Sequence, residues 1–364
     1  MTMRRHDKRG WLLGALGALA AVSWLLAKRT GDTFVGKLVV VTGGSRGLGL
    51  NLAREFARRG ARVVICARDA DELERAARTL AHEGLEVYPQ VCDVSVRAAA
   101  EKMVAEIEAQ HGAVDVLVNN AGLLYFGPAT AMTHLDLRTA MDTNFWGAVH
   151  TIEAVLPTML ARRDGRIVNI CSVGGVSPVP HMLPYSASKA ALNGYSLGLN
   201  YDLAREGISV TTVHPFVMRT GGPINGTYRG SARRGLYQAL AFADSHLLFS
   251  VSPQRVARKV VRAAANRETI VFIGWRTRLV AAMQGMLPRP LAAVYRSVAR
   301  TLLPPSSTRI GETGMHIASE LDGKARDVVE RSRAKNNQPE IADVEPPPLL
   351  GTPVVADVVR LPGS

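Results

Sequence analysis

The sequence predicts an α/β protein: a doubly wound parallel sheet covered by helices on both faces, in three layers (α/β/α). Two observations carry the prediction. Short apolar runs alternate with longer stretches of helical period from residue 37 to residue 274, the pattern of parallel strands joined by crossover helices. The runs themselves, such as "LVVV" and "RVVICA", show no polar alternation, as expected of strands buried on both faces.

In chain order, "KLVVVT" reads as the first strand and breaks into a glycine-rich turn. "LNLAREFARRG" follows as a helix with one apolar face, ending at Gly60, and "ARVVICAR" as the second strand. Helices are then expected near 69–82 and 95–110, with strands at 86–91 and 115–118. A long helix around 135–161, a strand at 166–171, a helix at 184–205 and strands at 208–213 and 268–274 complete the series. This places a single folded domain at 35–275, with no internal repeat. Residues 276–303 carry Arg276, Arg278, Arg289, Arg296 and Arg300, no acid, and many apolar residues, divided by Pro288 and Pro290. Such a basic amphipathic helix pair fits a membrane surface, a cover over a substrate pocket or a dimer face alike. From Pro304 the chain is rich in proline, serine and charge. Most of 304–364 is expected to be disordered, with at most a short helix near 319–333.

Ahead of the domain, Arg4, Arg5, Lys8 and Arg9 precede "WLLGALGALAAVSWLLA", residues 11–27, an uncharged run closed by Lys28 and Arg29. As a helix it would span about 26 Å, close to the thickness of a bilayer core. Trp11 and Trp24 near its ends suit the interfaces. The expectation is a retained membrane anchor with the catalytic domain on the cytoplasmic side; a cleaved signal peptide is the competing reading. The net charge is +13. The excess is spread over the N-terminus and 276–300 rather than gathered in an aromatic-studded patch, which favours anionic lipid over nucleic acid as a partner. Cys66, Cys92 and Cys171 each fall at the end of an expected strand and form no C-x-x-C pair, so they read as reduced core residues.

The turn "TGGSRGLG" puts glycines at 43, 44, 47 and 49 between the first strand and the first helix. Small residues there let the backbone approach a pyrophosphate at a helix N-terminus. Farther on, "LPYSASKAAL" holds Tyr185 and Lys189 four apart, on one face of a helix. An ammonium beside a phenol favours the phenolate and lowers the tyrosine pKa, giving a proton donor and acceptor near neutral pH. A solvated surface pair has the same spacing.

Taken together, these motifs resemble the short-chain dehydrogenase/reductase family over roughly residues 35–275. They are Thr42-Gly43 with Gly47 and Gly49, "NNAG" at 119–122, Asn144 in "DTNFWG", Ser172, and Tyr185-x-x-x-Lys189. The resemblance implies a Rossmann-type fold and hydride transfer between a nicotinamide and a carbonyl or alcohol carbon. It implies Tyr185 as proton donor or acceptor, and Lys189 as the group that depresses its pKa and holds the nicotinamide ribose. Ser172 would hydrogen-bond the substrate oxygen, and Asn144 would hold a water linking Lys189 to solvent. Cofactor contacts are implied for Gly43, Ser45, Arg46, Gly47, Leu48 and Gly49 in the loop and for Arg68 after the second strand. Asp93 and Val94 would hold the adenine ring. Asn120, Ala121, Gly122, Pro215 and Thr220 would join Tyr185 and Lys189 around the rest. No metal site is implied. Where the family has Pro-Gly this chain has Pro215-Phe216, which leaves the backbone contacts at 216 in doubt.

Arg68 is the first charged residue after the second strand and Arg46 lies inside the loop. Two guanidiniums can clamp a 2′-phosphate, so NADP(H) is favoured over NAD(H), with Asp69 as the counter-argument. Leu123, Leu124, Tyr125 and Phe126, and an apolar end to the segment after Thr220, suggest a lipophilic alcohol or ketone as substrate; the same side chains could pack in the core or in a homo-oligomer. A catalytically silent dinucleotide-binding sensor or scaffold is the alternative function, and an epimerase or dehydratase a third.

Overall fold

The computed structural model describes residues 34–245, 250–302, 306, 308–320, 329–330, 336 and 338. The expected anchor at 11–27 lies outside them. Among the described residues no helix is long and apolar enough to cross a membrane.

Ten strands run in chain order as β1 (Leu38–Thr42), β2 (Arg62–Ala67), β3 (Val87–Val91), β4 (Val116–Asn119), β5 (Tyr125–Phe126), β6 (Gly165–Ile170), β7 (Ile208–His214), β8 (Thr227–Arg229), β9 (Ile270–Phe272) and β10 (Gly311–Thr313). The helices are α1 (Gly47–Ala57), α2 (Ala70–His82), α3 (Arg97–His111), α4 (His134–Met141), α5 (Gly147–Arg162), α6 (Leu183–Asp202), α7 (Arg233–Ser245), α8 (Pro253–Ala265), α9 (Trp275–Met286), α10 (Pro288–Leu302) and α11 (Gly314–Ser319). Seven strands make one parallel sheet in the order β3-β2-β1-β4-β6-β7-β9. Side chains alternate across it with period two. Val39, Val41, Val63 and Ile65 enter one core, under α1, α2 and α8, and Leu38, Val40, Val64 and Leu117 enter the other, under α3, α5 and α6. Both faces being covered, every residue of β1 is buried, which is why its sequence shows no polar alternation. Cys66, Cys92 and Cys171 are buried and unbridged.

A polar chain crosses the sheet inside this apolar setting. Thr151 of α5 donates to Asn119 Oδ1 at 2.7 Å, Asn119 Nδ2 to Asn169 Oδ1 at 3.0 Å, and Asn169 Nδ2 to Ser196 Oγ of α6 at 2.9 Å. Ser196 Oγ then meets Thr212 Oγ1 at 2.7 Å. All five side chains are buried. Each takes its partner from the next element, so strands β4, β6 and β7 and the helices on them are fixed in register.

The sheet's outer strand β3 carries Pro89 at its centre. Cys92, just past its end, donates its N–H inward to Ala67 O at 2.9 Å. By the two-residue alternation of a strand, the backbone nitrogens of 87, 89 and 91 therefore point outward.

A second, three-stranded sheet, β10-β8-β5, roofs the C-terminal edge of the first. Its apolar side gathers Phe126, Ile224, Tyr228, Tyr237, Met315 and Ile317, with Phe126 stacked on Tyr228 at 4.8 Å. Buried Arg229 of β8 donates to Asp136 Oδ1 at 2.8 Å and ties this sheet to α4. Three expectations are corrected here. Tyr125 and Phe126 form β5 and are buried rather than lining a substrate pocket: Phe126 enters this core, and Tyr125, on the opposite face of the strand, is hydrogen-bonded to Thr139 of α4. Residues 311–319, within the segment expected to be disordered, form β10 and α11; their apolar side chains complete a core supplied by residues far upstream. The expected helix at 135–161 is interrupted by a π-turn over Asp142–Trp146.

Asn169→Ala is expected to lower stability by about 2–4 kcal/mol, since it strands the buried Asn119 and Ser196 partners. Urea unfolding of the two chains checks this.

Candidate active site

Strand order reverses on either side of β1, so the chain leaves β1 and β4 in diverging directions and opens a crevice at their C-terminal ends. Side chains stitch its floor. Thr42 Oγ1 accepts from the N–H groups of Asn120 (3.0 Å) and Ala121 (3.1 Å), while Asn120 Nδ2 donates to Gly43 O at 3.0 Å. The resulting cleft has a volume of about 700 Å³. Of the residues expected to hold the cofactor, all but Gly49 line it. Gly49 serves the packing beneath the loop instead. A Cβ there would lie 1.9 Å from Gly43 O, so only glycine lets helix and loop close up. Gly43 has φ +63°, and a Cβ would meet Ala121 Cα at 2.9 Å. The N-terminus of α1 has no side-chain cap. Its amides and dipole fit a pyrophosphate.

Residues that the sequence reading missed also reach this loop. Gly47 N–H donates to Asn336 O at 2.9 Å, and Gln338 Nε2 donates to Thr220 O at 2.7 Å. No local pattern announces such a contact from so far along the chain. At the far end of the cleft, buried Glu72 accepts from Ser45 Oγ at 3.1 Å and pairs with Arg46. The expected two-arginine clamp is therefore not formed, because Arg46 is committed to Glu72. Arg68 is 58% exposed, with Asp93 3.9 Å away. Asp69 caps α2, accepting from Glu72 N–H at 2.8 Å. The Asp-x-x-Glu spacing at 69–72 is a legible helix-start signal. Asp93 Oδ1 accepts from Ser95 N–H at 3.0 Å and from its hydroxyl at 2.7 Å.

At the other end, α6 begins with Pro184 in its first turn, where a missing N–H costs nothing. Tyr185 and Lys189 follow on one face. Lys189 is 4% exposed, and its Nζ donates to Ile170 O at 2.8 Å. Burial pushes its pKa down to about 8, against a smaller opposing effect of Cys171. The Tyr185 phenol is shifted upward by burial, with the hydrogen bond from Ser172 acting the other way. The expected lowering of the tyrosine by Lys189 is thus not found; the ammonium turns to a carbonyl instead. Ser172 Oγ accepts from Gly174 N–H at 3.0 Å. Buried His214 lies beneath, its Nδ1 3.1 Å from Ser172 O. A carbonyl only accepts, so Nδ1 carries the proton.

Asn144 sits inside the π-turn. Its Oδ1 accepts from Leu123 N–H at 2.7 Å, and its Nδ2 donates to Leu123 O at 3.1 Å and to Ser188 Oγ at 2.9 Å. Protein partners thus take both donor positions of its amide and one of the two acceptor positions of Oδ1. Asn144 pins the backbone beside Gly122, where a Cβ would lie 3.2 Å from Asn144 Oδ1 and 3.6 Å from Lys189 Nζ. Phe216, the departure from the family pattern, is half-buried and does not line the cleft.

The description of the short chain dehydrogenase family matches residues 37–225 of the chain, more than half of its 364 residues. The chain belongs to that family. A dehydrogenase/reductase SDR family protein 7-like chain of Anopheles gambiae is 34% identical over 277 residues, 72% of this chain and 85% of its own length. Among solved structures, a variant of the actinorhodin polyketide ketoreductase with NADPH superposes with a TM-score of 0.58 at 31% identity, covering 65% of this chain and 95% of that one. A metagenomic short-chain oxidoreductase in complex with NADP gives 0.54 at 30% identity, covering 66% and 96%. This short-chain dehydrogenase is therefore an oxidoreductase that works between CH–OH and carbonyl groups.

Folded Lys189 releases its proton near pH 8, against an ordinary value of 10.5. Between these values the unfolded chain binds more protons, so this group adds stability as pH rises through the window and loses it as pH falls. Urea midpoints of the cofactor-free chain, compared with Lys189→Met from about pH 7 to 10.5, should show a rise that the variant lacks. Parallel profiles would contradict the buried ammonium.

Proposed function

We propose that the chain is an NADP(H)-dependent reductase or dehydrogenase of a lipophilic carbonyl or alcohol. The observation that carries this is Tyr185, hydrogen-bonded to Ser172, on the same helix face as buried Lys189 and at the open edge of the dinucleotide crevice. When bound, the nicotinamide supplies or accepts the hydride. The chain does the rest. Ser172 donates a hydrogen bond to the substrate oxygen, where negative charge develops. Tyr185 delivers the proton to that oxygen in reduction and removes it in oxidation. Lys189, which donates to the Ile170 carbonyl from the same helix face as Tyr185, would hold the ribose hydroxyls of a bound cofactor. His214 holds the backbone of Ser172, and Asn144 holds that of Leu123, so both act as positioning residues.

Three points support NADP(H). Arg68 is exposed at the adenosine end, Asp69 is engaged as a helix cap, and both solved relatives bind NADPH or NADP. Leu123, Leu124 and Met218 on the cleft wall support an apolar substrate. The uncharged run at 11–27 supports a retained anchor, with the enzyme drawing NADPH from the cytoplasm.

Tyr185→Phe should lower kcat by about 100-fold or more while NADPH binding stays measurable by fluorescence. Near-normal turnover with chemistry rate-limiting would remove Tyr185 from the mechanism and leave room for a silent dinucleotide sensor. Arg68→Ala should weaken NADPH by about ten-fold, the worth of a charge-assisted contact, and leave NADH nearly unchanged. Equal losses in titrations with both cofactors would count against a 2′-phosphate contact.

A further inference from the structure

The hairpin of α9 and α10 leaves much apolar surface in water. Trp275 is 68% exposed and Met286 77%, with Leu279, Leu287 and Val294 each about half exposed. On α9 the exposed positions Trp275, Arg278, Leu279, Ala282 and Met286 recur at helical spacing and form one stripe. On α10, Arg289, Arg296 and Arg300 do the same. No acid occurs between residues 269 and 311. Over 253–302 there are ten Lys and Arg against the single acid Glu268. The basic character continues onto α8, where Arg278 adds to burial in lowering the pKa of Lys259.

The other side of the hairpin is fixed to the enzyme. Leu291 and Thr277 are buried, and Ser177 Oγ donates to Gln284 Oε1 at 3.2 Å and lies 3.1 Å from Tyr295 OH. Ser177 belongs to the loop that starts at Ser172. The exposed stripes are therefore rigidly attached beside the mouth of the active site.

We infer that the outward face of the α9–α10 hairpin docks on an anionic lipid bilayer, with Trp275, Leu279, Met286 and Leu287 entering the interface and Arg289, Arg296 and Arg300 meeting headgroups. An apolar stripe with a tryptophan at one end suits the depth of the headgroup boundary. A basic stripe without acids suits an anionic surface and disfavours a second copy of itself, since like charges would face each other. Docking there holds the loop after Ser172 one helix layer behind the lipid surface. The inference concerns where the enzyme works and stands apart from its catalytic assignment; the assay below reads no activity.

The test uses the full chain with Met286→Cys, labelled with an environment-sensitive fluorophore; the native cysteines are buried, and the unsubstituted chain treated with the same fluorophore is the control for any label they take. Phosphatidylcholine vesicles containing phosphatidylserine should shift the dye emission to the blue, and pure phosphatidylcholine vesicles should not. Adding Arg289→Glu, Arg296→Glu and Arg300→Glu should weaken the response at least about ten-fold, with unchanged near-ultraviolet circular dichroism. The inference is overturned by a silent dye on anionic vesicles that carry the chain down on sedimentation, which would mean attachment through another segment alone. It is overturned equally by the same shift on both vesicle types, by a shift that grows with protein concentration in the absence of lipid, or by one that duplex DNA produces as well.

Discussion

The buried polar chain from Thr151 to Thr212 is the constraint on which the rest of the molecule depends. Apolar packing alone would let strands β4, β6 and β7 slip, because Val and Ile side chains fit many neighbours equally well. A buried amide does not have that freedom: it must find its partner or forfeit the free energy of a lost hydrogen bond. Asn119 and Asn169 each bridge two elements, and Ser196 passes the constraint to α6. Since α6 also carries Tyr185 and Lys189, the register of the sheet and the placement of the acid–base pair are one problem with one solution.

The site holds a second tension. An ammonium taken out of water is costly, and Lys189 is almost wholly enclosed, with the Ile170 carbonyl as its hydrogen-bond acceptor. Such a group is retained for function at the expense of stability. Burial acts on Lys189 and Tyr185 in opposite directions, lowering one pKa and raising the other. Both shifts favour the neutral forms. Cofactor and substrate would enter a site in which the charged states wait for partners, and the groups around them are already locked: Ser172 by Gly174, Asn144 by Leu123.

Much of this was legible in the sequence. The unbroken apolar strands gave the parallel sheet, and the glycine spacing gave the crevice, because backbone approach and φ leave no choice of residue at 43 and 49. What escaped was everything decided by a neighbour distant in sequence. Arg46 read as a phosphate ligand because nothing local reveals that Glu72 is folded against it. Tyr185 and Lys189 share a helix face, yet spacing does not tell which acceptor the ammonium will choose. His214 and Gln338 act through contacts with Ser172 and Thr220 that only folding creates. Composition misjudged residues 311–319 for a related reason. It reports whether a segment can build a core alone, and Met315 and Ile317 needed only to finish one.

Pro89 has a consequence for how copies of the chain can meet. The outer side of β3 offers backbone nitrogens at 87, 89 and 91, and the central one belongs to a proline with no hydrogen to give. A strand arriving at that edge would find its ladder broken in the middle. The opposite edge, β9, is three residues long. Among the described residues, both edges of the seven-stranded sheet thus offer an incoming strand little backbone to pair with, although the sheet is not closed into a barrel. In the intact fold its broad surfaces are the helices that cover it, and these present no ladder for strand-on-strand growth.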